Sequence, residues 1–175
     1  MNWGTGITLG GAAVGMAILA HHLGGWYPGW KTLRKDWLGQ VAALLPFVLA
    51  WCYGTALLMC AGGLVRLLTD LTVWGTSWTG DAILVWGVGG QWSDHVPERD
   101  VQYLTNGGHV IVVVLTGLVI GLYKRGKVDT GSLARGTFCG VLVGQTGGVL
   151  GVAAIPVASS LNVAGAWIST GIGGA

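Results

Sequence analysis

The sequence predicts an all-α membrane protein, a polytopic bundle of about four transmembrane helices accompanied by one interfacial amphipathic helix. Of its 175 residues 52% are hydrophobic and only 9% charged, too few charges to cover the surface of a soluble globular domain. Trp37 to Val65 and Val101 to Tyr123 contain no Asp, Glu, Lys or Arg, and each exceeds the roughly 20 helical residues that cross about 30 Å of hydrocarbon. The cations cluster in two short loops, as they do on the cytoplasmic side of membrane proteins.

The first span is expected at about 3–22. It is short and glycine-rich, and because no Lys or Arg precedes Lys31 it lacks the positive n-region of a signal peptide and reads as a mature helix. A cytoplasmic loop over 24–36 follows, with Lys31, Arg34 and Lys35. The second span, 38–64, carries Pro46, which removes one helical hydrogen bond and predicts a kink. Residues 91–107 form a polar outer loop with Asp94, Glu98 and Asp100 against Arg99. The third span is 101–123, and the second cytoplasmic loop, 124–135, holds Lys124, Arg125, Lys127 and Arg135. From Gly136 no charged side chain remains, which predicts a span over 136–158 kinked at Pro156 and an apolar tail over 159–175, or two short helices meeting near Asn162. Both basic loops fall on one side if the N-terminus is outside, in a bacterial cytoplasmic membrane.

Residues 66–90 interrupt every full-length apolar window. Leu67, Leu71, Trp74 and Trp78 recur at helical spacing while Asp70 and the threonines lie elsewhere on the wheel, which predicts an amphipathic helix resting on the outer surface with its tryptophans at headgroup depth. Arg66 and Asp70, four apart, are placed to pair. The alternative is a re-entrant hairpin, in which case Asp70 and Asp81 enter the membrane.

The last span contains GTFCGVLVGQTGGVLG, with Gly136, Gly140, Gly144 and Gly148 on one helical face and Gly147 and Gly151 beside them. Gly117 and Gly121 repeat the spacing in the third span. In lipid, small residues every four positions let two helix backbones touch. The pattern resembles the glycine-zipper segments of several oligomeric membrane proteins, a likeness of motif that assigns no family. It implies either packing within this bundle or a face for further copies of the chain.

Gln145 and Thr146 add a polar thread, and with Asp70 and Asp81 they are the candidates for a polar pathway. Lys31, Arg34, Lys35, Lys124, Arg125 and Lys127 suit lipid headgroups. His95 and His109 lack metal-site spacing, and Cys52, Cys60 and Cys139 lie inside spans, so no metal or cofactor is expected. Nucleophile-elbow, zinc-protease and phosphate-loop motifs are absent, and no enzyme activity is expected. With a net charge of +2, nucleic acid is not an expected partner.

These features favour a pore-forming or scaffolding subunit of a membrane assembly, self-associating through the glycine zipper and partnered by the bilayer and other membrane subunits. The alternatives are a holin-like permeabilising protein, a non-conducting accessory subunit of a conjugation or secretion complex, and an apolar subunit of a protein shell or filament.

Overall fold

The computed structural model describes residues 7–27, 34–93, 103–125, 129–146 and 152–173. Among these the regular structure is helical, with only isolated bridge positions at Thr8 and Thr146. Six helices follow in order: α1 Leu9–Trp26, α2 Trp37–Leu58, α3 Gly63–Ala82 prolonged by a π-helical turn Ile83–Gly87, α4 Asn106–Arg125, α5 Thr130–Gln145 and α6 Ile155–Gly173.

Local chemistry sets several boundaries. Thr8 caps α1, its hydroxyl accepting from the Gly11 N–H at 3.2 Å. Asp36 caps α2 through the Gly39 N–H, and Asp129 caps α5 through the N–H groups of Gly131 and Ser132. Pro46 lies inside α2, where it offers no N–H to the Ala42 carbonyl.

The last apolar stretch differs from the single span expected over 136–158. Thr146 turns extended, with φ −68° and ψ 139°, and its hydroxyl donates to the Val143 carbonyl at 2.7 Å, ending α5. Pro156 then stands in the first turn of α6, where its missing N–H has no intrahelical partner to lose. It opens a helix instead of kinking one, and the expected tail from residue 159 is helical through Gly173.

Pairwise contacts fix the directions. Gly136 meets Phe47, Gly140 meets Trp51 and Gly144 meets Thr55, so α5 runs parallel to α2. α1 runs antiparallel to both: its Trp26 indole donates to the Gln40 carbonyl at 2.8 Å, and the His22 ring stacks on Phe47 at 3.9 Å. α4 is antiparallel to α2, with the Leu104 N–H on the Met59 carbonyl at one end and Tyr53 beside Thr116 further along. α6 crosses α4 near the start of α4, where Gly165 meets Gly107 and the Asn162 side chain accepts from the Thr105 N–H at 2.9 Å.

The ends of the bundle are therefore unlike. One carries the start of α2 and α5 and the finish of α1 and α4, with Arg34, Lys35 and Lys124 exposed and Arg135 half-exposed. The other gathers the finish of α2 and α5 and the start of α1 and α4. α3 lies obliquely across that second end: Arg66 in its first turn donates to the Leu58 carbonyl of α2, and Ser77 and Gly80 near its finish touch the start of α1. The core consists of Ile7, Ala12, Val73, Val141 and Leu142 under α3, a neighbouring set of Phe47, Cys139 and Val143, and a third joining α2, α4 and α6 through Met59, Leu104, Val112 and Ala158.

Two helices, Trp37–Leu58 and Asn106–Lys124, are long and apolar enough to cross a membrane. α1 and α5, with 18 and 16 residues, reach about 27 and 24 Å at about 1.5 Å per residue. They fall short of the length expected of them from sequence.

The α5 cap gives a pH-dependent prediction. The Ser132 hydroxyl and the Gly131 N–H hold the Asp129 carboxyl below the usual aspartate range. A depressed carboxylate adds stability above its unfolded-state titration and loses it as pH falls through the lower folded-state value. Asp129→Ala is expected to lower the thermal midpoint at neutral pH, and the gap to the unsubstituted protein should close on acidification, read by circular dichroism in detergent.

Candidate functional site

Glycine is used wherever two helices cross most closely. A Cβ at Gly54 would lie well inside 3.0 Å of the Thr137 carbonyl oxygen, and one at Gly140 equally close to that of Trp51. Gly10 and Gly80 face each other across the α1–α3 crossing, and Gly107 and Gly165 across the α4–α6 crossing. Gly136, Gly140 and Gly144 thus have their face occupied by α2 of the same chain. Gly117 and Gly121 look outward, and a Cβ added at either would meet nothing within 4 Å. Gly147, Gly148 and Gly151 lie outside the described residues.

A polar cluster surrounds the α1–α3 crossing. Asp81, 5% exposed, accepts a hydrogen bond from the Ser93 hydroxyl. The Ser93 oxygen in turn accepts from the Gly10 N–H at 3.4 Å, in the first turn of α1. The Asp81 carboxylate is thereby coupled through one hydroxyl to the positive end of a helix dipole, a favourable place for a buried anion. The Thr8 N–H donates to the Ser77 hydroxyl at 3.2 Å, and the Thr8 hydroxyl faces the Ser77 carbonyl at 3.4 Å. The loop that delivers Ser93 turns at Gly89, whose φ of +78° suits glycine, and the Gly90 N–H closes back on the Leu84 carbonyl at 2.9 Å.

Of the polar-path residues, Asp81, Gln145 and Thr146 are buried at this same end of the bundle, Gln145 and Thr146 closing α5 there. The surface helix expected from sequence would leave Asp81 in solvent; its burial is a correction, and the cause is the close approach of Gly10 to Gly80 and Asp81, with the Ser93 hydroxyl supplying the donor that water would otherwise provide. Asp70 stands apart, 11 residues or about 16 Å along α3 from Asp81. It pairs with Arg66, whose Nε lies 3.0 Å from Oδ1 and 3.2 Å from Oδ2.

The headgroup candidates Arg34, Lys35 and Lys124 are exposed together at the opposite end. Lys31, Lys127 and the side chain of Arg125 lie outside the described residues, as do Asp94, His95, Glu98, Arg99 and Asp100. The His109 ring bonds the carbonyl of Thr105, the residue just before α4, at 2.8 Å. Among the described residues no three of His, Cys, Asp and Glu converge as a metal site would require.

Thr8, Ser77 and Ser93 are polar members that sequence reasoning did not single out. Thr8 had a signal, a helix-capping threonine just before an apolar helix. Ser77 and Ser93 had none, because their partners lie 69 and 12 or more residues away.

Comparison with known protein families, with curated proteins and with solved structures finds no match to the chain.

The crossings and the cluster each set a measurable stability. Gly140→Leu should overpack the α2–α5 contact and cost about 1–3 kcal/mol, whereas Gly117→Leu should leave the unfolding midpoint unchanged, both measured by titration with a denaturing detergent. Ser93→Ala, which strips Asp81 of its donor, should cost about 1–3 kcal/mol. The loss in the Asp81→Ala, Ser93→Ala double variant should then be smaller than the sum of the two single losses, as a double-mutant cycle reads it.

Proposed function

We propose that the chain is a small integral membrane subunit with α1, α2, α4 and α5 as its spans, which associates with further copies or partner subunits and scaffolds a larger assembly without catalysing a reaction. The basic end would face the cytoplasm and the α3 end the outside of a bacterial cytoplasmic membrane. The observation that carries this reading is the state of α4. Only 11% of its membrane-length window is buried, and Val113, Val114 and Leu118 project outward beside the open Gly117 and Gly121. Association between copies would therefore use this row, since α2 already fills the face of Gly136, Gly140 and Gly144.

A conducting assembly and a holin-like lesion differ from a scaffold in permeability, and a shell or filament subunit differs in needing no bilayer. The test is a pair of measurements on protein reconstituted in liposomes: copy number by single-molecule photobleaching, and release of a small trapped dye. The expected result is an oligomer in tight vesicles, reduced to monomers by Gly117→Leu with Gly121→Leu. Oligomers unaffected by that pair would overturn the α4 interface, dye release would replace the scaffold by a pore, and a chain that washes free in carbonate without detergent would overturn the membrane reading altogether.

A further inference from the structure

α3 has its polarity reversed relative to a helix on a water-soluble bundle. Leu64, Leu67, Leu71, Trp74 and Trp78 are each more than half exposed, on the side of the helix turned away from the buried Thr69 and Val73. Thr69, Thr76, Ser77 and Asp81 are buried against the bundle, together with Val73 and Ala82. A helix lying on the bundle with its outer side in water would show the opposite arrangement.

Its polar side chains are also satisfied without solvent. The hydroxyls of Thr72, Thr76 and Thr79 each donate to the carbonyl four residues earlier, at 2.8, 2.7 and 2.8 Å, and that of Thr69 to the Arg66 carbonyl at 2.8 Å. Thr72 and Thr79 make these bonds on the outer half of the helix, where water would serve them equally well if it were present. Arg66 divides its donors between Asp70 and the Leu58 carbonyl, and Asp81 has Ser93. Internal pairing of this kind is what hydrocarbon demands and what water does not.

We propose that α3 is embedded in the bilayer, its outward Leu and Trp face covered by the phospholipid acyl chains of the leaflet opposite the basic end, and that Asp81 is consequently a carboxylate held within the membrane. This rests on the membrane reading above. Phospholipid is favoured as the occupant because α2 and α4, the helices long and apolar enough to cross a membrane, expose the same kind of apolar side chains, and because the face lies at the end away from Arg34, Lys35 and Lys124. The π-turn extends it: Trp78, Ile83 and Trp86 border a shallow apolar notch of about 370 Å³, and Trp86 meets Trp92 edge to face, with ring centroids 6.5 Å apart. The surface helix expected from sequence is thereby replaced by one sunk below the headgroups.

The test uses nitroxide labels on single cysteines in a Cys52→Ala, Cys60→Ala, Cys139→Ala background, reconstituted in phosphatidylcholine and phosphatidylglycerol vesicles. Collision rates are measured with oxygen, which partitions into lipid, and with a water-soluble nickel chelate. Labels at Leu71→Cys and Trp78→Cys should collide readily with oxygen, and with nickel several-fold less often than a label at Lys35→Cys. Nickel collisions at the Lys35 level would place α3 in water and overturn the proposal. Protection from both reagents would mean that a second copy or another protein covers the face, which also overturns it. A Val113→Cys label on α4 separates the two failures: if it too collides with nickel the membrane reading has failed, and if it is in lipid while Leu71→Cys is not, only the embedding of α3 has. Where the cysteine-free background does not fold, quenching of the natural tryptophans by brominated lipid gives the same answer. The Trp74→Phe, Trp78→Phe variant should lose a distinct share of the quenchable emission, and an unchanged quenchable share would overturn the proposal.

Discussion

The parallel pairing of α2 with α5 is the contact from which the rest of the arrangement follows. It is made largely by backbones, because Gly54, Gly136 and Gly140 let the two chains approach closely, with Ala50 and Thr55 set against the glycines. In lipid such an approach gains dispersion and carbonyl contacts that a leucine interface would not add to what acyl chains already offer. A parallel pair cannot be joined by a tight turn, so the chain between them must return across the bundle, and α4 makes that crossing. With α1 antiparallel to both, the two basic loops are forced to one end. The charge asymmetry that suggested orientation and the glycine row that suggested packing are thus consequences of one topology.

A chain that is 9% charged must dispose of its few polar groups with care. It does so locally where it can, by returning threonine hydroxyls to the preceding turn, and across the fold only where two backbones meet. The α1–α3 crossing shows the cost of close approach. Gly10 and Gly80 bring the first turn of α1 against α3, which buries amides that have no helical partner. Thr8 and Ser93 answer those amides, and Asp81 then fixes the Ser93 hydroxyl. The buried carboxylate is part of the solution to an end-of-helix problem that the glycines create.

Much of this is legible in the sequence. The apolar runs locate α2 and α4 closely, with α2 ending at Leu58 where 64 is expected because Gly62 and Gly63 open a new helix. The spacing of Leu67, Leu71, Trp74 and Trp78 marks the outward face of α3, and Arg66 pairs with Asp70 as expected. The break between α5 and α6 escapes a reading by charge, since an uncharged stretch offers no contrast between span and loop. Thr146 followed by two glycines, with Pro156 beyond, is the overlooked signal of one helix ending and another starting. The burial of Asp81 is out of reach for a different reason. Periodicity assigns a residue to a face of its own helix, and whether that face meets water, lipid or another helix depends on contacts distant in sequence.

The amphipathic pattern of 66–90 locates the exposed stripe of Leu and Trp but does not say what the other side of the helix packs against. An apolar stripe and a polar stripe at helical spacing are symmetric with respect to inside and outside, and the usual reading assigns the apolar stripe to protein or lipid and the polar one to solvent. Here the packed side carries polar groups as well as Val73: Val73 joins Ile7, Ala12, Val141 and Leu142, while Ser77 and Asp81 meet the open amides at the start of α1. A helix that finds its hydrogen-bond partners within the bundle has no need of water on any side. Its free face can then be as apolar as the rest of the exterior, which in α2 and α4 belongs to helices long and apolar enough to cross a membrane.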